Sequence, residues 1–250
     1  MYNDKKISVI LPTYNEKDSI YQCIEDFYAT GVVDEVLVIN NNAAAGTSAE
    51  ISKTRAKEIL ETKQGYGHAI QRGLTESSGD LMIVCEPDGT FKANDIFKLL
   101  AYASDCEIVY GTRTVSTFIW SGANMGKFLR HGNWFVAKII EVLFNTISLS
   151  DVGCTMRLVS RSGLNKIKPY FTVGGNYFGP EMILLSIAHD LKIIQIPVNY
   201  LERIGKSSVT GSLAKAFVLG IRMIMLIIDF RIKSIFSKSK RYGYKSKNFH

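Results

Sequence analysis

The sequence predicts an α/β fold in which a mostly parallel β-sheet is flanked by helices. Short apolar runs alternate along the chain with longer segments whose apolar residues recur at helical spacing. The short runs are apolar at nearly every position, as in strands that are covered on both faces of a parallel sheet. With 250 residues, the chain is long enough for one large domain, or for one domain with an appendage.

Four strands and four helices are predicted in order along the first half of the chain. The strands are expected at 7–11, 34–42, 81–88 and 106–113, and the helices at 17–31, 47–60, 65–80 and 93–104. The first helix illustrates the helical pattern, because Ile20, Ile24 and Phe27 share one face and Gly31 follows the last turn.

Polar residues follow the predicted strands at the ends where such sheets bind ligands. The groups are Asn15, Asn40 to Asn42, Glu86 to Asp88, and Gly111 to Arg113. In open α/β sheets, the crevice outside the carboxyl ends of the strands holds the ligand. The sequence therefore predicts that these four groups line one binding crevice.

An acidic pair, Glu86 and Asp88, stands at the end of the third predicted strand, with Pro87 between the two acids. Residues i and i+2 of an extended segment point to the same side, so we expect both carboxylates, followed by Thr90, to face one point. Their hard oxygen atoms suit Mg²⁺ or Mn²⁺, which a diphosphate would also bind. The alternative is a solvated surface turn without a metal.

Glycines open the third predicted helix in the segment QGYGHAIQRG, residues 64–73. Gly65 and Gly67 allow the backbone to approach a ligand closely, and the N-terminus of a helix favours anions. The same two glycines could also do no more than cap the helix. The segment therefore gains meaning only from its position among the other motifs.

Six segments occur in an order that identifies a resemblance. They are ISVILPTYNE, EVLVINNNAAAGTS, QGYGHAIQRGL, CEPDGTF, DVGCTMRLVSR and IPVNYLERIGKSS. The chain resembles the family-2 glycosyltransferases, which have the GT-A fold, a Rossmann-like α/β fold. Within that family it looks like the polyprenyl-phosphate glycosyltransferases, of which dolichol-phosphate mannosyltransferase is an example. The resemblance covers about residues 6–210.

The resemblance implies a role for each matching position. Nucleotide-sugar contacts are expected from Pro12, Tyr14, Asn15, Glu16, Asn41, Gln64, Gly65, Glu86 and Asp88. A Mg²⁺ or Mn²⁺ ion is expected at Glu86 and Asp88, with Thr90 as a third ligand. Acceptor-phosphate contacts are expected from Arg157, Arg203 and Lys206, and catalytic roles from Asp88, Asp151 and Arg157. Apart from the resemblance, Arg113 and Arg130 are further cations available to the acceptor phosphate.

The chain departs from the pattern of the family at two places. The second loop carries Asn40, Asn41 and Asn42 where aspartate is usual, so this loop brings no negative charge to a base or ribose. The first acid of the metal motif is Glu86 where aspartate is usual. A catalytically silent, membrane-associated scaffold that retains the fold is therefore kept as an alternative.

The expected reaction moves a single sugar from a UDP- or GDP-linked donor to a polyprenyl or dolichyl phosphate. Negative charge builds on the departing diphosphate, and a metal ion with neighbouring arginines and lysines would stabilise that charge. A lipid phosphate is already an anionic nucleophile, whereas a sugar or glycolipid hydroxyl acceptor would need a base. Asp151 is the candidate for that base, although it could equally orient Arg157. Inverting stereochemistry is implied by the resemblance alone.

Two segments indicate contact with a membrane surface. Residues 118–144 mix aromatic and basic side chains, as an interfacial helix does, although the partly exposed helices of an ordinary domain are the alternative. A helix over 212–236 would be about 37 Å long, with Lys215, Arg222 and Asp229 on one polar stripe. Arg222 would lie near the centre of a bilayer, so a helix lying in the interface, or one paired with a second chain, is favoured over one that crosses. Packing of this helix against the catalytic domain is the alternative.

Charge is concentrated at the end of the chain. The net charge is +7, and residues 203–250 contain 11 lysines and arginines but one acid. Because no nucleic-acid recognition motif accompanies these bases, we expect an anionic lipid surface and no nucleic acid as the partner. The predicted division is a catalytic domain at 1–210, a membrane-associated amphipathic helix at 211–236 and a basic flexible tail at 237–250.

The location expected for the chain is the cytoplasmic face of a membrane. Its first residues lack the pattern of a secretory signal, because their apolar run is short and ends at Pro12. The four cysteines are far apart, without metal-binding spacing, as is usual for reduced thiols in a cytosolic setting.

Overall fold

The computed structural model describes residues 1–205 and 213–236, in which helices cover both faces of a seven-stranded sheet. The strands are β1 (Ile7–Thr13), β2 (Glu35–Asn40), β3 (Lys57–Leu60), β4 (Leu81–Val84), β5 (Ile108–Thr112), β6 (Arg157–Ser160) and β7 (Ile193–Pro197). The helices are α1 (Lys17–Ala29), α2 (Thr47–Ile51), α3 (Tyr66–Glu76), α4 (Ile96–Leu100), α5 (Lys127–Phe144), α6 (Arg161–Ile167), α7 (Phe178–Ala188) and α8 (Leu213–Phe236). Lys206 and the predicted tail at 237–250 lie outside the described residues.

The sheet has the strand order β3-β2-β1-β4-β6-β5-β7 and is mostly parallel, as predicted. The exception is β6, which pairs antiparallel with both β4 and β5. Neither β6 nor β7 was predicted. Both lie in the second half of the chain, and each is short, with four and five residues. Because β6 runs antiparallel to β4 and β5, the loop before β6 lies at the edge of the sheet where β4 and β5 end. This direction brings the loop to the candidate site.

The predicted helix over 47–60 is wrong in its second half. The helix α2 ends at Ile51, and Lys57–Leu60 forms the edge strand β3, which pairs parallel with β2. Only Ile59 of that strand is buried, so its hydrophobic pattern is too weak to distinguish a strand from a helix. Pairing with β2 decides the conformation, because an edge strand gains its backbone hydrogen bonds from its neighbour.

Alternation along the central strands divides the interior into two cores. Met82 and Val84 of β4 pack in the core under α3, α5 and α7, whereas Ile83 and the following Cys85 pack in the core under α1 and α4. Each fully buried aliphatic side chain contributes about 1.5–3 kcal/mol through the hydrophobic effect. Since both faces are covered, the strands need apolar residues at every position, which is the pattern that predicted the fold.

Strand register brings the polar groups predicted in sequence to one edge of the sheet. The strands β1, β2 and β4 are parallel neighbours, so their carboxyl ends meet. The antiparallel pairing of Val84 with Arg157 places the residues just before β6 at that same edge. Residues 151–156 therefore lie beside the end of β4, although about 65 residues separate the two segments along the chain.

The N-terminus of α3 is held against residues 173–174 at this edge. A Cβ atom on Gly67 would lie 2.4 Å from the carbonyl oxygen of Val173, so only glycine permits this approach. Gly65, with φ of +146°, turns the chain into the helix and donates its backbone N–H to Asn41 Oδ1. The glycines of this segment therefore serve the packing of α3 as well as its capping.

The C-terminal helix α8 packs on α5 and α7 through Met223, Ile227 and Phe230, which are buried. Its polar stripe of Lys215, Arg222 and Asp229 is exposed. Beside that stripe lies an exposed apolar face, formed by Phe217, Val218, Ile221, Met225, Ile228, Ile232, Ile235 and Phe236. Over the described ranges 1–205 and 213–236, no helix is both long and apolar enough to cross a membrane.

The predicted aromatic and basic segment at 118–144 is only partly helical. A 3₁₀ turn covers Ser116–Phe118 and α5 begins at Lys127, so residues 119–126 form a connection without helix. Within α5, Phe128, Phe135 and Val142 recur every seven residues and are exposed.

Candidate active site

Glu86 and Asp88 converge on one cation at the carboxyl edge of the sheet. Arg203 Nη2 lies 3.1 Å from Glu86 Oε2 and in ion-pair contact with Asp88 Oδ2. A third carboxylate is close, since Arg203 Nη1 lies 3.8 Å from Glu16 Oε1. The two acids of the motif therefore face a common point, which a guanidinium occupies in this structure.

Asp88 is anchored by Thr90 through one carboxylate oxygen and faces Arg203 with the other. Its Oδ1 accepts hydrogen bonds from the backbone N–H of Thr90 at 3.0 Å and from the Thr90 hydroxyl at 2.5 Å. Its Oδ2 is fully buried and receives no hydrogen bond from any described residue, although it touches the guanidinium of Arg203. The carboxylate is thus oriented by Thr90 and presents one oxygen atom to a cation.

The loop that carries Arg203 is bound to the acidic motif through its backbone. The N–H of Ile204 donates to the carbonyl of Asp88 at 2.8 Å, and the N–H of Leu201 donates to the carbonyl of Thr90 at 2.8 Å. The Ile204 side chain also covers Gly89, whose φ is +80°. These contacts place a positive charge over the acids.

A divalent metal ion fits the pair formed by Glu86 and Asp88. Burial, followed by the charge of Asp88, raises the pKa of Glu86, and the charge of Arg203 opposes that rise. A bound cation would therefore relieve the repulsion between the two acids. Within the described residues, no group of three or more histidine, cysteine or acidic side chains has metal-binding geometry. The pair would consequently need further oxygen ligands from a diphosphate or water, as is usual for Mg²⁺.

The first loop is organised around Glu16. Its Oε2 accepts hydrogen bonds from the backbone N–H groups of Tyr14 at 2.6 Å and Asn15 at 2.8 Å. The side chains of Tyr14 and Asn15 are exposed, whereas Pro12 is buried within β1 beside Ile39 of β2. Glu16 therefore shapes the loop, and Tyr14 and Asn15 are the members of the predicted set with side chains free to meet a nucleotide.

The prediction of a nucleotide contact is corrected for the side chain of Asn41. Its Nδ2 donates to the carbonyls of Glu61 and Lys63, each at 2.8 Å. Its Oδ1 accepts from the N–H of Gly65 at 2.8 Å and from Gln64 Nε2 at 3.2 Å. An amide has two N–H donors and two acceptor positions, so the side chain of Asn41 has no group left for a base or ribose. Asn41 instead ties the end of β2 to the segment that opens α3.

Asp151 is paired with Arg113, which corrects the alternative in which it orients Arg157; its catalytic role stays a prediction. Arg113 Nε donates to Asp151 Oδ2 at 2.9 Å and Arg113 Nη2 donates to Oδ1 at 3.0 Å. The backbone N–H groups of Arg113 and Gly153 also donate to this carboxylate. Asp151 is buried and its two oxygen atoms are both engaged, so its contacts position Arg113 at the end of β5.

Replacing Asp151 with asparagine is expected to destabilise the fold. Asp151→Asn leaves the nearly buried Arg113 without a counter-ion, and breaking a buried ion pair from one side costs about 3–5 kcal/mol. Urea denaturation of the variant would measure the change in the free energy of unfolding. Lys166→Gln, which breaks the exposed pair with Glu107, is the control and should cost less than about 1 kcal/mol. Equal effects of the two substitutions would contradict the structural role of Asp151.

Arg157 lies in the core and not in the crevice, which corrects its predicted contact with an acceptor phosphate. Its side chain is 1% exposed, with Nη2 donating to the carbonyl of Cys154 at 2.9 Å and Nε donating to the carbonyl of Thr155 at 3.2 Å. The strand β6 directs this side chain toward Met182 of α7. Arg157 therefore fixes the backbone of the loop before β6.

The other predicted basic residues divide between the crevice and its border. Arg113 and Arg203 lie at the edge, as described above, and Lys206 lies outside the described residues. Arg130 is half-buried in the first turn of α5, one turn before Asn133. A Cβ atom built on Gly153 would lie within 3 Å of both Asn133 Oδ1 and Arg113 Nη2, so this part of α5 borders the Arg113 side of the site.

Sequence reasoning missed Tyr66 and Thr155, two residues whose hydroxyls lie buried at this edge. Tyr66 stands between Gly65 and Gly67, and Thr155 stands two residues before Arg157. Neither hydroxyl has a hydrogen-bond partner among the described residues. Strand alternation would have placed Thr155 on the same face as Arg157, but only if β6 had been predicted as a strand.

Comparison with curated proteins places the chain among glycosyltransferases. Residues 8–168 match the family described as Glycosyl transferase family 2. Low-salt glycan biosynthesis hexosyltransferase Agl6 of Haloferax volcanii is 27% identical over 210 residues, which cover 81% of this chain and 49% of that protein. The chain therefore spans about half the length of that relative. Dolichyl-phosphate beta-glucosyltransferase of Saccharomyces cerevisiae is 25% identical over 256 residues, covering 90% of this chain and 76% of that protein.

Solved structures agree in the fold. Glucosyl-3-phosphoglycerate synthase from Mycobacterium tuberculosis, in complex with Mn²⁺, uridine diphosphate and phosphoglyceric acid, matches with a TM-score of 0.71 at 17% identity. The match covers 90% of this chain and 78% of that one. Taken with the seven-stranded sheet and the acidic pair at its carboxyl edge, the family match shows that this chain belongs to glycosyl transferase family 2 and has the GT-A fold.

Proposed function

We propose that the chain transfers a single sugar from a UDP- or GDP-linked donor to a polyprenyl or dolichyl phosphate, with inversion at the sugar. The observation that carries the proposal is the convergence of Glu86 and Asp88 on Arg203 at the ligand-binding edge. Two relatives support its parts: the name of the yeast relative includes a dolichyl-phosphate acceptor, and the mycobacterial structure contains Mn²⁺ and uridine diphosphate.

The donor would lie with its diphosphate at the acidic pair. Glu86 and Asp88 would hold a Mg²⁺ or Mn²⁺ ion, and this ion would supply Lewis-acid stabilisation of the departing diphosphate. Arg203 would then exchange its acidic partners for phosphate oxygens, which keeps its charge compensated throughout. Thr90 keeps Asp88 in one orientation, so the carboxylate needs no rearrangement when the cation arrives.

The contacts of Asp151 support a phosphate acceptor. A hydroxyl acceptor would require a base, but both oxygens of Asp151 are bonded to Arg113 and to backbone N–H groups. A phosphate acceptor is an anion at neutral pH and requires cations to bring it beside the diphosphate. Arg113 and Arg130 border the site on the side of α5 and would supply that charge.

The membrane surface is the proposed place of the reaction, on its cytoplasmic face. The exposed apolar face of α8 defined above would lie among lipid headgroups, with the polar stripe of that helix toward water. The exposed stripe of Phe128, Phe135 and Val142 on α5 would add a second contact. The 11 lysines and arginines at 203–250 would attract this end of the chain to anionic lipid. Pairing of two copies through residues 212–236 is the competing use of the α8 face.

A donor and acceptor screen tests the proposal. Purified protein would be incubated with Mg²⁺ or Mn²⁺, polyprenyl phosphate and a panel of UDP- and GDP-sugars, and the glycolipid formed would be followed by chromatography. We expect one donor to give a product that depends on the metal ion. Transfer only to hydroxyl acceptors would replace the lipid-phosphate proposal. Absence of both product and metal-dependent nucleotide binding would favour a silent scaffold.

A further inference from the structure

Two buried hydroxyls at the carboxyl edge of the sheet have no explanation in the fold. Tyr66 Oη and Thr155 Oγ1 make no hydrogen bond to any described residue, and Thr155 is 7% exposed. Burying a hydroxyl without a partner costs free energy, so such groups are uncommon and call for a cause. The third orphan atom at this edge, Asp88 Oδ2, already has a cause in the cation that it faces.

Both hydroxyls lie on the same side of the sheet as Glu86. Met82 and Val84 point into the core under α3, and alternation extends that side to Glu86. On the neighbouring strand, Val159 points into the same core, and alternation extends its side through Arg157 to Thr155. Tyr66, the first residue of α3, packs against this core as well.

The charges of Glu86 and Arg157 both act on the Tyr66 hydroxyl. Burial raises the pKa of Tyr66, the charge of Glu86 raises it further, and the charge of Arg157 lowers it. The phenol is therefore influenced by one charge of the acidic pair and by the arginine that holds the loop before β6. Its packing against the same core as Val84 and Val159 supports a place on the Glu86 side of the sheet.

Arg157 keeps Thr155 in place while leaving its hydroxyl free. The guanidinium binds the carbonyls of Cys154 and Thr155, so the backbone of the loop before β6 is held from inside the core. The hydroxyl of Thr155 takes no part in these bonds. A fixed backbone with an unused hydroxyl is what recognition of a polar ligand requires, because the group is positioned before the ligand arrives.

We propose that Tyr66 Oη and Thr155 Oγ1 form the subsite that binds hydroxyl groups of the donor sugar, and so select which hexose is transferred. This inference rests on the proposed function, because a diphosphate at Glu86 and Asp88 would carry its sugar next to these hydroxyls. A phenol and an alcohol can each donate and accept a hydrogen bond, as sugar hydroxyls do. A subsite of this kind discriminates strongly against a sugar that lacks the matching hydroxyl, because the protein group then stays unpaired.

The test compares a nucleotide sugar with the same nucleotide without its sugar. Tyr66→Phe and Thr155→Val remove one hydroxyl each and keep the shape of the side chain. Calorimetric titrations with Mn²⁺ would use UDP-glucose and UDP, and in parallel GDP-mannose and GDP. We expect each variant to bind the recognised nucleotide sugar about 2- to 10-fold more weakly, as for loss of one hydrogen bond, and to bind the free diphosphate unchanged.

Tyr110→Phe is the matched control. Its hydroxyl is hydrogen-bonded to Ser186 at 2.8 Å inside the core, so its removal should lower the unfolding temperature and leave both affinities unchanged. Tyr66→Phe and Thr155→Val should not lower the unfolding temperature, since they remove unpaired groups.

The outcomes separate the subsite from the proposed function. Equal weakening for nucleotide sugar and free diphosphate, or no weakening at all, would overturn the subsite while leaving the proposed function in place. Failure of the unmodified chain to bind either diphosphate in the presence of Mn²⁺ would overturn both.

Discussion

Replacing Asp88 with asparagine should reduce sugar transfer by about 100-fold or more and leave the fold intact. The asparagine Oδ1 can still accept both hydrogen bonds from Thr90, so the turn keeps its shape. The atom that faces the cation, however, changes from a carboxylate oxygen to an amide. Removing one preorganised electrostatic group from an active site typically lowers turnover by about 10²–10³-fold.

The measurement is initial transfer rate with saturating Mg²⁺ or Mn²⁺, together with thermal unfolding. Asp105→Asn, an exposed substitution in the turn before β5 at the opposite edge of the sheet, is the control and should behave like the unmodified chain. Unchanged turnover in Asp88→Asn would contradict the proposal that Asp88 holds a metal ion. Loss of the folded state would show instead that the charge of Asp88 is needed to hold Arg203.

Two charges placed on the apolar face of α8 should release the chain from membranes. Ile228 and Ile232 are 46% and 49% exposed and lie outside the buried face of α8 that Met223, Ile227 and Phe230 form, so Ile228→Glu with Ile232→Glu changes mainly exposed surface. Burying the exposed halves of both side chains in lipid would contribute about 2 kcal/mol to membrane binding. This corresponds to about a 30-fold change in the partitioning of the chain between vesicles and solution. Sedimentation with vesicles that contain phosphatidylglycerol would measure it.

The control carries the same two new charges on other apolar positions. Leu60→Glu with Phe97→Glu alters exposed side chains of β3 and α4, and should leave vesicle binding nearly unchanged. Equal release by the two pairs would show that net charge, and not the α8 face, governs binding. Full retention of the α8 variant would shift the membrane contact to the exposed face of α5. If the α8 variant lost a dimer and kept its vesicle binding, the α8 face would be assigned to contact with a second copy of the chain.

The site shows where sequence reasoning succeeded and where it failed. Alternation in an extended segment predicted that Glu86 and Asp88 face one point, and they share Arg203. The pairing of Asp151 with Arg113 joins residues 38 positions apart, and it depends on the ends of β5 and the loop before β6 meeting at one edge. No local pattern contains that information, because the two segments become neighbours only through the sheet.

The second loop gives the same lesson for a single residue. Asn41 follows β2 at the ligand-binding edge, which is where a nucleotide contact is expected. Its side-chain amide is nevertheless hydrogen-bonded to the backbone of Glu61, Lys63 and Gly65. These residues follow the edge strand β3, which lies next to β2. The strand β3 was itself predicted as a helix, so nothing in the sequence indicated these partners.

The sequence by itself determined the α/β class, the edge of the sheet at which the candidate site residues meet, the acidic pair and the amphipathic C-terminal helix. These follow from short-range periodicity, because the pattern of buried positions in a strand or helix is written in neighbouring residues. Only the tertiary structure decided which charges are paired and which polar groups are left over. Burial makes an unpaired charge or hydroxyl costly, so long-range contacts placed Arg157 inside the core and paired Asp151 with Arg113, and they left the hydroxyls of Tyr66 and Thr155 without a hydrogen-bond partner among the described residues.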